Sequence, residues 1–344
     1  MDISKKKPFY KINKDLKGYL LQHGRAVKLP VLYSDLLRYA EGFPLYDKTG
    51  KDTLWESVMY GEEVIKEFNE SLTYVYSLLR TDGDMSVMQH LVVDRIDYCH
   101  FGNSKPFRIR IVNKLNDNYD YFYVKKSDAS RVYGLELEYI LSPNRINFFI
   151  DGDTLIEEHI PGIPGDIFFE TYTTSPSFNK VRIAKEFVKF NERCFVRLLG
   201  DMRSYNYVID ITPDFEDEQY RVRAIDFDQQ CYEGRKNMYL PQFYKENRKV
   251  VEFCADVLTA ETIEQYRHEE RVLIRRRYET AKHRYSQLIK CLCNDTLSST
   301  SKINELKADL EKYHKTSFKK CKKMGELLHL HLELMLSRKQ SSNR

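Results

Sequence analysis

Paired cysteines, long apolar runs and a strong charge of either sign are all missing from this chain, and each absence removes a class of protein. The seven cysteines (Cys99, Cys194, Cys231, Cys254, Cys291, Cys293 and Cys321) are odd in number and scattered, with no CxxC. That spacing fits neither a disulfide framework nor a zinc site, and free thiols in a reducing cytoplasm fit it best. Nowhere do about eighteen apolar residues run together, the least a membrane-spanning helix needs. No apolar stretch follows Lys5, Lys6 and Lys7, so the reading is of no export signal, no membrane span and a cytoplasmic location. Lys and Arg number 55 against 51 Asp and Glu, a formal surplus of +4, too small to argue for nucleic acid or an anionic membrane. The basicity that exists is local: residues 255–344 hold 19 Lys or Arg and 12 Asp or Glu, which leaves residues 1–254 at −3.

Apolar matter is plentiful. Hydrophobic residues make up 42% of the 344, with 25 Tyr and 19 Phe, so the chain folds, and its length calls for two packed lobes or a core with helical extensions. Residues 1–88 read as a helical N-terminal extension, with 53–80 the best helix: Leu54, Val58, Ile65, Phe68, Leu72, Val75 and Leu79 recur at three to four, and Thr53 is the expected N-cap. Gly50-Lys51-Asp52-Thr53 is not a phosphate loop, because Gly42 lies too far away and Asp stands where Ser or Thr must hold Mg²⁺. From 89 to 162 the period changes to two. Strands are expected at 91–98, 107–112 and 119–126, then a helix that begins after the caps Ser127-Asp128, runs through Leu141 and is stopped by Ser142-Pro143, then strands at 146–150 and 155–160, an order of βββαββ. Residues 163–254 read as helical around 180–198, followed by a hairpin, and 255–338 as two long amphipathic helices around a polar link at 294–301, a C-terminal helical hairpin within 255–344 whose end at 339–344 is frayed.

The chemistry is concentrated in Leu199-Gly200-Asp201-Met202-Arg203-Ser204-Tyr205-Asn206, a strand, an acidic turn, and a second strand ending in Ile225-Asp226-Phe227-Asp228. An aspartate, an asparagine five residues on and an aspartate after a returning strand bring oxygen ligands to one point. Phosphoryl transfer asks for little more than that: metal ions on the phosphate oxygens and a carboxylate near the acceptor hydroxyl. Asn206 and Asp226 offer hard oxygens for Mg²⁺, and Asp201 offers the carboxylate. Asp228 is either a third carboxylate on the metal side or a loop acid.

This pattern resembles the kinase-like phosphotransferase superfamily, nearer its small-molecule branch (aminoglycoside, choline and fructosamine kinases) than the protein kinases. Those enzymes read His-Gly-Asp-x-x-x-x-Asn, a hairpin, then Ile-Asp-Phe or Ile-Asp-Trp; Gly200, Asp201, Asn206, Ile225, Asp226 and Phe227 match, and Leu199 replaces the histidine. The resemblance implies an α+β, two-lobed fold: a small antiparallel N-lobe at 89–162, a mostly helical C-lobe at 163–254, and helical ends. It implies ATP and Mg²⁺ as cofactors, Asp201 orienting or deprotonating a hydroxyl acceptor, and Asn206 and Asp226 holding metal. The strand Phe122-Tyr123-Val124-Lys125 fits the family's lysine for the α/β-phosphates, with Lys126 the alternative. Glu136 is its implied helix partner, with Glu138 second, and 155–162 is the implied hinge, where Glu158 and Ile160 would face adenine.

Two departures stand out: Gly102 is the single glycine of the loop between the first strands, with no GxGxxG, and only a short gap separates Lys125 from Glu136. They motivate the alternative of a pseudokinase, which binds nucleotide without turnover and recruits protein partners through its helical ends. His329 and His331, like Cys291 and Cys293, are two apart on a helix and face different ways, so joint metal ligation is not expected. Arg275-Arg276-Arg277 and the lysines at 319–323 read as solvated helix faces.

Overall fold

The structure, a computed structural model, describes residues 7–337 apart from Lys48, Asp82, Met85, Gly102, Pro176, Ser177 and Glu216. The expected glycine-poor loop around Gly102 and the end at 339–344 therefore fall on or beside residues outside those described. The chain divides into two compact units, residues 1–128 with 146–159 and residues 129–145 with 160–344. Among the described residues no helix is long and apolar enough to cross a membrane.

The first unit opens with α1 (Lys14–Gln22), capped by Asn13, whose side chain accepts from the Leu16 N–H at 2.8 Å. A single turn, α2 (Tyr33–Leu36), precedes β1 (Glu41–Tyr46), β2 (Asp52–Met59), α3 (Glu62–Thr81), β3 (Leu91–Cys99), β4 (Phe107–Asn113), β5 (Tyr119–Lys126), β6 (Phe148–Asp151) and β7 (Thr154–Glu158). The strands make one antiparallel sheet in the order β1-β2-β3-β4-β5-β7-β6. Strand alternation decides its two faces. Ile109, Ile111, Phe122, Val124 and Ile156 turn to one side, where Phe68, Leu72, Val75 and Leu79 of α3 complete a buried core. Tyr121, Tyr123 and Lys125 alternate with that set and turn to the other.

Residues 52–59 correct the expected helix. They are a strand, with Trp55 opposite Cys99 and Ser57 opposite Asp97, and the Thr53 hydroxyl donates to the Leu45 carbonyl at 2.7 Å instead of capping a helix. Leu54 and Val58 fit a helical stripe, but the helix starts only beyond Gly61, whose carbonyl accepts from the Ile65 N–H at 3.0 Å. Residues 1–88 thus supply two strands and the core helix of the sheet rather than helices alone.

In the second unit come α4 (Ala129–Leu141), β8 (Ile163–Pro164), α5 (Gly165–Thr171), α6 (Lys180–Arg197), β9 (Tyr207–Asp214), β10 (Asp217–Ala224), α7 (Arg248–Val257), α8 (Ala260–Thr280), α9 (Lys282–Asn294), α10 (Thr300–His314) and α11 (Met324–Leu336). The strands pair antiparallel in the order β10-β9-β8. α4 belongs to this unit although the sequence reading grouped it with its flanking strands; all of it but Tyr139 is buried. Its three charged residues are each paired inside the unit, Arg131 with Asp226 and Asp228, Glu136 with Arg284, and Glu138 with Arg197.

The two long C-terminal helices expected at 255–338 are four. The first breaks at Ala281. The second stops where Lys315 enters the left-handed region (φ 52°) and the fully buried Phe318 takes its N–H to Glu311 Oε1 at 2.7 Å. Tertiary packing of Phe318, which a helical stripe does not encode, sets that break.

Candidate functional site

The oxygen-bearing loop lies wholly in the second unit. α6 ends as Leu198 turns left-handed (φ 52°), and Asp201 does the same at φ 58°, a region that costs an L-residue on the order of 1–2 kcal/mol. The surroundings hold it there. Leu199 bridges to Gln230, the Cys231 N–H donates to the Leu198 carbonyl at 3.0 Å, and the Asp201 N–H donates to Tyr244 Oη at 2.9 Å. A Cβ at Gly200 would stand 3.3 Å from the carbonyl oxygens of Gln229 and of Met238, so the chain passes between two strands of backbone there.

The hairpin then brings the other two residues in. β9 and β10 pair in unbroken register up to Tyr207 opposite Ala224, and the ladder takes one further step as the Ile225 N–H donates to the Asn206 carbonyl at 3.0 Å. Asn206 and Asp226 therefore flank the open end of the hairpin. Asn206 Nδ2 donates to the Asp201 carbonyl oxygen at 2.7 Å and stands 3.5 Å from Asp201 Oδ2, which turns the amide oxygen away from the loop.

Two arginines that the sequence reading passed over control the charge. Arg203 Nε donates to Asp201 Oδ1 at 2.8 Å, and its Nη1 reaches Glu246 at 2.9 Å. Burial pushes the Asp201 carboxyl above its ordinary range against the pull of Arg203, and Glu233 and Glu246 push the same way as burial. The fully buried Arg131 sends Nη1 to Asp226 Oδ1 (2.9 Å) and to Asp228 Oδ1 (3.0 Å), while the Asp228 N–H donates to Asp226 Oδ1 at 3.0 Å. The signal for Arg131 was an arginine in the first turn of a helix that is mostly apolar, and for Arg203 a cation two residues after Asp201.

The donor chemistry fits Mg²⁺: an amide oxygen from Asn206 and a carboxylate from Asp226 that stays about one third exposed are the hard oxygens such an ion takes alongside phosphate and water. Among the described residues no three of His, Cys, Asp and Glu converge on one point. His329 lies 3.6 Å from Glu333, whereas His331 bonds to His314 at 2.8 Å, so the two diverge as expected.

In the first unit, Lys125 is buried on β5 with Nζ 2.6 Å from Glu157 Oε2, and Lys126 is exposed, its Nζ 5.2 Å from the Phe9 ring. Glu157 faces Tyr123 across the strand pair. The same face continues through Arg108, bonded to the buried Asp97 at 2.7 and 3.0 Å and lying 4.5 Å from the Trp55 ring and 5.2 Å from Tyr121. Glu157 was missed because strand neighbours only meet once the register is known. Glu158 accepts from the Asn147 N–H at 2.8 Å and lies 3.6 Å from Arg80. In the second unit, Glu136 takes Arg284 through contacts of 2.8, 2.8 and 3.1 Å, a partner that the expectation of a lysine did not include, and Ile160 is buried.

No family model matches the chain, and no curated protein matches it. Among solved structures, the autoinhibited serine kinase domain of the giant muscle protein titin is similar, at 16% identity over 66% of this chain and 88% of that one, with a TM-score of 0.25. A likeness of that size establishes neither fold nor activity.

Proposed function

We propose that this chain is an ATP- and Mg²⁺-dependent phosphotransferase that moves the γ-phosphate to a hydroxyl group of a small molecule, on a kinase-like fold. The observation that carries the reading is the loop cluster of the second unit, where one hairpin delivers Asn206 and Asp226 together and Asn206 is bonded to the Asp201 backbone. The sequence resemblance supplies the roles. Asn206 and Asp226 would hold the metal, which when bound neutralises and bridges phosphate oxygens. Arg203 occupies Asp201 Oδ1, so on this reading Oδ2 would orient the acceptor hydroxyl and receive its proton. A carboxyl raised by burial is a better base near neutral pH than an ordinary aspartate. Lys125 is assigned to the phosphates on the resemblance.

A second reading, nucleotide binding without turnover, is favoured by Arg131. A fixed guanidinium already compensates Asp226 and Asp228, and a cation beside a metal ligand weakens the site for Mg²⁺.

Calorimetric titration of ATP with and without Mg²⁺, on wild type and Asp226→Asn, tests both, with ADP formation then followed across a screen of hydroxyl-bearing small molecules as acceptors. The expected result is metal-dependent binding that the substitution abolishes. ADP formed with any acceptor selects the phosphotransferase; tight binding with no ADP formed across the screen selects the second reading. Wild type that binds no nucleotide in either condition overturns both.

A further inference from the structure

Beneath α4 and between α8 and α9 of the second unit lies a cavity of about 500 Å³ whose wall is dominated by arginine: Arg145, Arg276, Arg277 and Arg284, with Tyr139 and Ser142. Its size is that of an ordinary small-molecule site. Three elements converge to make it, since Arg145 follows the end of α4, Arg276 and Arg277 sit on α8, and Arg284 opens α9. The run 275–277 is thus not one solvated face: successive helical positions are about 100° apart, and Arg275 lines a different cavity with Tyr278 and Glu279.

Arginines crowd together where acids or a ligand compensate them. Here the acids close by are already engaged, Glu136 by Arg284 (2.8 Å), Glu138 by Arg197 and Glu270 by Arg193 (3.2 Å). Arg145, Arg276 and Arg277 make no ion pair among the described residues. Tyr139 pre-orders the wall, with the Arg284 guanidinium 4.5 Å and that of Arg145 5.1 Å from its ring. Burial lowers the Arg277 pKa, and Arg193 and Arg145 lower it further, against the pull of Glu270 and Glu138. Bringing these cations together is unfavourable until an anion enters.

The geometry points to a binding site for a small molecule carrying two or more phosphate groups, gripped by Arg145, Arg276 and Arg277. The guanidinium fork pairs bidentately with phosphate oxygens, and three such forks around one concavity suit several phosphates better than a single charge. An extended acidic peptide is a poorer match, because the arginines face a pit rather than follow a groove. The site shares no side chain with the Asp201, Asn206 and Asp226 cluster, so it stands whether or not that cluster turns over ATP.

The test is calorimetric titration of inorganic pyrophosphate into the full chain, in parallel on wild type, Arg276→Gln, Arg276→Gln/Arg277→Gln and Asp226→Asn. Arg276 is exposed, so its single variant folds and reports on binding alone. The expected pattern is saturable binding to wild type, weakened measurably by Arg276→Gln and about tenfold or more by the double variant, since hydrogen bonds to charged groups are the strong ones, and unchanged in Asp226→Asn. No saturable binding to wild type overturns the proposal. So does equal binding by Arg276→Gln and wild type, and so does binding lost in Asp226→Asn alone, which would place pyrophosphate at the other cluster.

Discussion

Arg131 is the residue on which the character of the oxygen-rich loop turns. It is fully buried, holds two aspartates through one nitrogen, and donates Nη2 to the Ile225 carbonyl at 3.2 Å. Removing one member of a buried ion pair strands the others at a cost of about 3–5 kcal/mol, and the partial exposure of Asp226 puts this case at the lower end. Arg131→Gln is therefore expected to lose about 3 kcal/mol in urea unfolding, and added Mg²⁺ should restore part of that loss in the variant while doing less for wild type. A urea midpoint that does not move would show that the guanidinium is not compensating the two acids. Asp201, Asn206 and Asp226 were legible in the sequence because their spacing along one hairpin is itself the geometry. Arg131, Arg284 and Glu157 were not, because an ion-pair partner is fixed by packing that joins separate segments; the Arg131 pairs span 95 and 97 residues, the Arg284 pair 148 and the Glu157 pair 32.

α5 begins at Gly165, where a Cβ would fall 2.3 Å from Tyr207 Cε2 and 2.6 Å from the Ser204 carbonyl oxygen. The helix end is pressed against the loop that leads into β9, and so against the backbone that positions Asn206. In an open helix, alanine outdoes glycine by up to about 1 kcal/mol, but overpacking a tight contact costs about 1–3 kcal/mol. Gly165→Ala should therefore destabilise the protein, lowering its thermal midpoint, and a midpoint raised as a free helix would give shows the contact to be soft. The strands of the first unit's sheet from Leu91 onward were readable because alternation of apolar and polar residues is local. The strand at 52–59 was not: Leu54 and Val58 satisfy either period, and only pairing with β3 decides between them. The break between α10 and α11 was hidden for a similar reason, since Phe318 has no partner until α10 folds.

At the scale of the whole molecule, charge is balanced but buried titration is not. His314 Nε2 lies 2.8 Å from His331 Nδ1, and His331 Nε2 donates to the Phe195 carbonyl at 3.0 Å. Burial lowers His314 to about 4, assisted by Arg271, and burial followed by His314 lowers His331 to about 3. Both are neutral when folded, and the unfolded chain binds protons first, near the ordinary value of about 6.5. The stability they contribute is thus fully present above pH 6.5 and falls as the pH drops from there through 4 and 3. A loss on the order of 3 kcal/mol for each histidine is expected by pH 4. Urea midpoints measured from pH 8 to pH 4 should show a shallower decline in His331→Gln than in wild type; parallel curves would mean that other groups drive acid unfolding.

The chain's path between its units has a consequence for how the protein is made. Three crossings, at 128–129, 145–146 and 159–160, leave neither unit as one unbroken stretch. β7 lies between β5 and β6 in the sheet, yet it leaves the ribosome only after α4, which belongs with residues not yet translated. The sheet must therefore wait for its inner strand while a greasy helix of the other unit is already outside the tunnel. During that interval α4 has no partner, and its three charged residues have none of their later counter-ions, so the nascent chain passes through a stage in which shielding by a chaperone matters most. Nor can either unit be obtained by itself by trimming the gene from one end: a chain stopped at residue 159 keeps the first unit but carries α4 without its partners, and one started at residue 129 keeps the second but carries 146–159 without the rest of their sheet.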